Sequence, residues 1–348
     1  MAGGPSTPEL AIAVCEAGAL GFLAAGYKRA GAVGDEIHAV RAATDAPFGV
    51  NLFVPATEPA DRDRVREYLE RLGAEAERQG VELGDPEFDD DDWAAKLEVL
   101  YEKRPAVASF TLGCPDEAVV NHLHGVGVIV WVTVTNVLEA QAAREAGVDG
   151  LVVQGTEAGG HRGGFVEDGS DESGVGLLAL LRTIATATSL PLIATGGIAD
   201  GAALAAVLCA GASAGQIGTA LMLAPEAGTA EAQRKVLAER RPTRVTRAFT
   251  GRAARGIVNR FMTEHHDAAP VAYPEVHHVT SPLRAAARRR GDADGFNLWA
   301  GQAHELVQAR PAGEIVSEMA AEAAAVAERV SGVLRGRGTS AGCRSPSS

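Results

Sequence analysis

One device recurs along this chain and constrains its fold more than any other feature. Three times a helix-like segment runs into a glycine and gives way to an apolar strand: Glu16-Ala-Gly-Ala-Leu-Gly21, Glu145-Ala-Gly-Val-Asp-Gly150 and Cys209-Ala-Gly-Ala-Ser-Ala-Gly215. Gly18, Gly147 and Gly211 fall where a helix stops in the left-handed conformation that glycine adopts at least cost. The helix starts match as well, with Ser6-Thr7-Pro8-Glu9, Asn136 followed by Glu139, and Asp200 as capping signals. The strands predicted at 21–26, 48–53, 106–113, 127–134, 150–155, 192–197 and 215–221 are continuous apolar runs, the habit of parallel strands covered on both faces. Several starts recur roughly every two dozen residues, one strand-plus-helix unit each, and extra sequence intrudes after 53 and after 155.

Repeated units of this kind predict an α/β chain folded as a TIM (β/α)8 barrel. Seven strands are readable, so the first of eight is expected upstream of Met1; a seven-stranded open sheet is the alternative. The 348 residues divide into a barrel over 1–222 and a second, smaller, mainly helical domain over 223–312, with pieces at 229–240 and 282–290. A C-terminal helix over 313–335 is expected to pack on the barrel, and 336–348, rich in Gly, Ser and Arg, to be a disordered tail.

A net charge of −13 argues against a nucleic-acid partner, which needs a concentrated basic surface. The short cluster Arg288 to Arg290 reads as a solvated helix end, and Asp89 to Asp92, without the spaced ligands of a calcium loop, as a solvated linker or helix start. Cys15, Cys114, Cys209 and Cys343 lack CxxC spacing, which fits a reducing cytoplasm. Neither a membrane span nor a signal peptide is predicted. His265-His266 and His277-His278 are adjacent pairs whose side chains should diverge, so no metal site is expected.

In a barrel the chemistry gathers at the carboxyl ends of the strands. Gly196 and Gly197 follow Ile-Ala-Thr and let backbone N–H groups approach an anion, with the helix starting near Asp200 adding its positive end. Gln216, Ile217, Gly218 and Thr219 repeat the arrangement one unit later, and together the two ends predict a phosphate cradle. Asn51 and Gln154 are amides late in apolar strands, where an unpartnered amide costs about 1–3 kcal/mol. A flavin edge would satisfy them; a mutual hydrogen bond between core amides is the plain alternative. His161 lies in a glycine-rich segment with Gly159, Gly160 and Gly164, and an imidazole there suits proton transfer near neutral pH.

The chain resembles the nitronate monooxygenases through Met1-Ala-Gly-Gly-Pro-Ser-Thr-Pro-Glu-Leu10, Phe48-Gly-Val-Asn-Leu52, Glu157-Ala-Gly-Gly-His161, Ala194-Thr-Gly-Gly-Ile198, Gln216-Ile-Gly-Thr219 and Leu298-Trp-Ala-Gly-Gln302, six motifs in order. That resemblance implies a barrel with FMN at its top. It would be contacted by Asn51, Gln154, Gly159, Gly160, Gly196, Gly197, Gln216, Ile217, Gly218 and Thr219. It also implies that O2 oxidises alkyl nitronates, propionate 3-nitronate among them, and nitroalkanes, through one-electron flavin chemistry without NAD(P)H. His161 would stand beside the substrate as base or anion-binding group. Two places depart from the pattern: the family's first strand would precede Met1, and Ala303-His304 stands where Gly-Tyr is expected, which bears on substrate fit. The rival readings are an NAD(P)H-dependent flavin reductase of the same fold (quinone or enoyl-thioester reductase), an inactive FMN-binding barrel, and a metal-assisted lyase or isomerase.

Overall fold

The computed structural model describes residues 1–167 and 174–336. Seven strands, β1 (Gly21–Ala24), β2 (Phe48–Phe53), β3 (Val107–Thr111), β4 (Ile129–Val134), β5 (Gly150–Gln154), β7 (Leu192–Thr195) and β8 (Ala214–Gln216), form one parallel sheet in chain order. The short β6 (Gly160–His161) leaves this order and joins a separate antiparallel sheet with β9 (Thr243–Thr246) and β10 (Ala254–Ile257), in the order β6-β10-β9. The parallel sheet is TIM-like, but among the described residues no pairing joins its two edge strands, β1 and β8.

The helices between the strands are α1 (Pro8–Glu16), α2 (Ala30–Ala43), α3 (Arg62–Gln79), α4 (Trp93–Lys103), α5 (Glu117–Gly125), α6 (Val137–Glu145), α7 (Leu177–Ala185) and α8 (Gly201–Cys209). The caps behave as their residue types dictate: Thr7 Oγ1 accepts from Leu10 N at 3.1 Å, Asn136 Oδ1 from Glu139 N at 2.9 Å and Asp200 Oδ1 from Ala203 N at 2.8 Å. Gly18, Gly147 and Gly211 take φ of 84°, 86° and 107°, so each terminator has the backbone that its position in the repeat requires. The extra sequence after β2 is α3 and α4. Val50, Leu52, Phe110, Val130, Val132, Leu151 and Val153 share one face of the sheet and are all buried in the apolar core, while the alternate positions on the opposite face include the polar side chains of Asn51, Ser109, Thr133 and Gln154.

Three expectations need correction. The last predicted strand, 215–221, ends at Gln216, and Thr219–Leu221 is a single 3-10 turn. Residues 223–312 contain α9 (Glu231–Leu237), α10 (Arg260–His265) and α11 (Glu275–Arg290), but also β9 and β10. Those two strands, Thr-Arg-Val-Thr and Ala-Arg-Gly-Ile, are four residues each with arginines interleaved, too short and too polar to register as apolar runs. Arg288 is more than a solvated helix end, since its guanidinium lies 5.0 Å from the Phe296 ring centroid and donates to Asn297 Oδ1 at 2.7 Å. Apart from Gly336, the tail expected over 336–348 lies outside the described residues, as does Cys343. No helix among the described residues is long and apolar enough to cross a membrane.

The long α12 (Ala312–Leu334) returns to the parallel sheet's helical layer and packs chiefly on α8. Gly201 makes that contact close: a Cβ there would lie 2.5 Å from Met319 O and from Glu322 Cβ. Glu322 Oε2 also accepts from Gly201 N at 2.8 Å. Gly201→Ala should therefore cost about 1–3 kcal/mol through overpacking, read as a lower denaturant midpoint with an unchanged m-value. A neutral result would show that α12 does not rest on this contact.

Candidate active site

Because seven strands run the same way, their carboxyl ends open on one side of the sheet, and the polar residues gather there. Asn51, Thr111, Thr133, Gln154, Thr195 and Gln216 all line one cavity of about 610 Å3. Gln154, Thr195 and Gln216 are register neighbours on β5, β7 and β8, which puts three polar side chains in one row. Gly159, Gly160, His161, Gly196, Gly197, Ile217, Gly218 and Thr219 line the same cavity, so every site residue expected from the sequence meets the others there.

The two strand-end amides are held differently. Gln154 is satisfied within the protein: Oε1 accepts from Arg162 Nη1 at 3.0 Å and Gly163 N at 2.8 Å, and Nε2 donates to His161 O at 3.0 Å. Asn51 Oδ1 accepts from Ser109 Oγ at 2.8 Å and Thr111 Oγ1 at 3.0 Å. That fixes the amide's orientation and leaves its Nδ2 as a donor. Ser109, Thr111 and Thr133 were missed in the sequence although Thr111 and Thr133 carry the same signal as Asn51, a polar side chain late in an apolar strand.

Between the ends of β7 and β8 the backbone is open to an anion. The N–H groups of Gly196, Gly197, Gly218 and Thr219 have no partner among the described residues. Thr219 Oγ1 accepts from Gly301 N at 3.0 Å, which leaves its own proton to donate. Gly196 and Gly197 have φ of 114° and 72°, values that side-chain-bearing residues rarely adopt. The start of α8 contributes less than expected, because Glu322 and Asp200 already accept from Gly201 N and Ala203 N. Gln216 Oε1 is buried without a partner, and a buried acceptor in that state needs a donor from a ligand. Gly159 also makes room within the protein: a Cβ there would lie 2.5 Å from the backbone of Ala300 and Gly301.

His161 stands on β6 rather than in a free loop. It pairs with Ala254 of β10, and Arg162 N donates to Ala253 O at 2.8 Å. Its ring meets Phe53, Tyr273 and Trp299 at centroid distances of 6.3, 5.7 and 5.7 Å, and its Nε2 lies 2.9 Å from Thr250 Oγ1. Thr250 Oγ1 donates to Arg252 O at 3.2 Å. A hydroxyl has one proton, so with that proton spent on Arg252 O, Nε2 of His161 is the donor to Thr250 and Nδ1 keeps the lone pair. Burial first, then the charges of Arg252 and Arg284, lower the imidazole pKa to about 3. His161 is therefore neutral across the working range. Thr250 had no sequence signal, since it lies far along the chain from the strand ends of the parallel sheet.

The remaining histidine pairs diverge as adjacent residues should. His277 stacks on Tyr27 at 4.1 Å, whereas Nε2 of His278 pairs with Asp89 at 3.1 Å. Two groupings of metal-ligating types exist among the described residues, Glu75 with Glu264 and His265, and Glu87 with Asp89 and His278. In the first, the Glu75 carboxylate already accepts from Arg78, Gln79 and Arg260. The departure at 303–304 resolves into two roles: Ala303 lines the cavity, while His304 is buried with its ring nitrogens 3.2 and 2.9 Å from the carbonyls of Leu237 and Arg241.

The family model described as nitronate monooxygenase matches residues 1–322. The chain is 38% identical over 337 residues to a nitronate monooxygenase of Paraburkholderia phytofirmans, covering 92% of this chain and 89% of that protein. It is 34% identical over 323 residues to a probable nitronate monooxygenase of Staphylococcus aureus, covering 91% and 90%. Among solved structures, the nitroalkane oxidase from Streptomyces ansochromogenes matches with a TM-score of 0.92 at 47% identity, over 95% of each chain. FabK from Thermotoga maritima, at 24% identity and a TM-score of 0.75 over 96% and 93%, shares the fold. The chain belongs to the nitronate monooxygenase family and is an enzyme of that flavin-dependent oxidoreductase type.

With its histidines labelled with 15N, the protein should show the His161 ring as a neutral Nε2–H tautomer throughout pH 6–9. That neutral form should persist on acidification, because the lowered pKa delays protonation until the pH approaches about 3. Thr250→Val should mix the two tautomers and Thr250→Ser restore the single one. A wild-type spectrum with the proton on Nδ1 would reverse the assignment.

Proposed function

We propose that this member of the nitronate monooxygenase family binds FMN in the cavity at the strand ends and oxidises alkyl nitronates with O2, propionate 3-nitronate among them, and neutral nitroalkanes after deprotonation. The observation that carries the reading is one cavity holding unpartnered N–H groups, the orphaned Gln216 Oε1 and a neutral histidine with a free ring nitrogen. These fit the group: the N–H groups of Gly196, Gly197, Gly218 and Thr219, with the Thr219 hydroxyl, suit a phosphate. Asn51 Nδ2, the second Nε2–H of Gln154 and Gln216 Oε1 suit the donors and acceptors along a flavin edge, with Gly159, Gly160 and Ile217 against it. When bound, FMN supplies the electron acceptor for the nitro compound and the route for those electrons to O2.

For a nitroalkane, Nδ1 of His161 takes the α-proton while Thr250 holds Nε2–H in place. The imidazolium so formed lies against a new nitronate anion, an attraction that offsets the opposing charges of Arg252 and Arg284. A nitronate arrives already deprotonated and asks no proton transfer of His161. In the same reading residues 1–222 hold the cofactor, 223–312 form a smaller domain that covers the substrate, and 313–335 brace the first unit.

The protein should purify yellow with about one releasable FMN per chain, because the cavity offers a single phosphate cradle. Alkyl nitronate in air should be consumed, and anaerobic NADH should not bleach the flavin. His161→Asn should keep FMN, lose the roughly 10²–10⁴-fold that a positioned base contributes to nitroalkane oxidation, and change nitronate oxidation much less. Bleaching by NADH with no nitronate turnover would replace this reading with a reductase.

A further inference from the structure

Tyr27 is held in place more firmly than a surface turn requires. It follows β1 with φ of 66°, a left-handed conformation that costs energy for an aromatic residue and persists only where its surroundings impose it. Those surroundings are visible. Asp91 Oδ1 accepts from Tyr27 N at 3.0 Å, and Asp91 Oδ2 is in turn paired with Lys96 Nζ at 2.7 Å. The ring stacks on His277 with an interplanar angle of 3° and meets Phe53 edge-on at 5.4 Å. Phe53 can come that close because residue 26 is glycine: a Cβ there would lie 2.4 Å from its ring.

All this support ends in a buried hydroxyl without a well-formed hydrogen bond. Its neighbour is the Tyr273 hydroxyl, whose hydrogen-bonding pull on the phenol is smaller than the effect of burial. An unpartnered buried hydroxyl weakens a fold, so a strained backbone that delivers one is explained by a ligand rather than by packing. Tyr27 lines the same cavity as His161, and Phe53 and Tyr273 stand close to both. The phenol keeps its proton, burial raising its pKa to about 12, so it is a donor to any oxygen placed there.

We propose that Tyr27 is a substrate-binding residue whose hydroxyl donates a hydrogen bond to one oxygen of the planar nitro or nitronate group held beside His161. This rests on the reading of the site as one for nitro compounds. The acidic run Asp89 to Asp92 then has a task beyond solvation: Asp91 fixes the Tyr27 backbone, and Asp92 Oδ2 accepts from Ala30 N at 2.9 Å at the start of the next helix.

The test compares the flavin-loaded wild type with Tyr27→Phe in two ligand measurements and one of stability. Propionate, a planar two-oxygen anion that cannot react, should bind about tenfold more weakly to the variant by ligand-observed NMR. KM for an alkyl nitronate should rise by a similar factor with kcat little changed, the mark of binding shared by ground and transition states. The Tm should stay level or rise, since the lost hydroxyl makes no well-formed hydrogen bond within the protein. A propionate Kd changed by less than threefold overturns the proposal, and so does a Tm lower by more than a few degrees, which would give the hydroxyl a structural role. If neither protein oxidises nitronates, the nitro-compound reading fails, and the propionate comparison still decides the role of Tyr27.

Discussion

The site depends on a pairing of two residues. Gly160 and His161 leave the loop after β5 and add themselves to β10 as an antiparallel edge, opposite Arg255 and Ala254. Around this pairing, Arg247 and Glu167 form a largely buried ion pair at 2.6 Å, Glu167 Oε2 accepts from Ala253 N at 3.0 Å, and Arg252 Nε donates to Arg162 O at 3.3 Å. Backbone ladder and ion pair together fix where the imidazole can be, which no glycine-rich loop does alone. They also bring Thr250 to the ring from a part of the chain with no other business at the strand ends.

The parallel sheet was legible because its physics is local. A capping side chain, a helical stretch, a left-handed glycine and an apolar run follow one another within each unit, and the structure places six of the seven strands close to where that pattern puts them. The polar strand ends were legible for a related reason: Asn51, Gln154 and Gln216 interrupt runs that are otherwise apolar. What stayed hidden depends on contacts between distant segments. Thr250 and the strands β9 and β10 carry no periodic signal, and Tyr27 looks like any aromatic residue in a turn until its unpartnered hydroxyl is seen in the cavity. The close approach of the Ala300 and Gly301 backbone to Gly159 was likewise hidden, since it joins segments far apart in sequence.

The local charge around His161 adjusts the chemistry in a consistent direction. Arg252 and Arg284 both bear on the imidazole, and burial pushes it the same way, so the resting ring is neutral. The same positive surroundings favour whatever anion the site receives or produces. An imidazole held neutral by burial and positive neighbours becomes more basic as negative charge grows beside it.

The pairing of β6 with β10 also has a history in the folding of the chain. Neighbouring strands of the parallel sheet mostly follow one another in sequence, so each joins after closing a short loop, while the contact between Arg162 and Arg252 spans 90 residues. Loop-closure entropy delays contacts of that separation until the intervening segments have folded. The His161 ring is therefore held by a contact of much longer sequence separation than most of the neighbouring-strand pairings in the sheet that supplies the rest of the cavity lining.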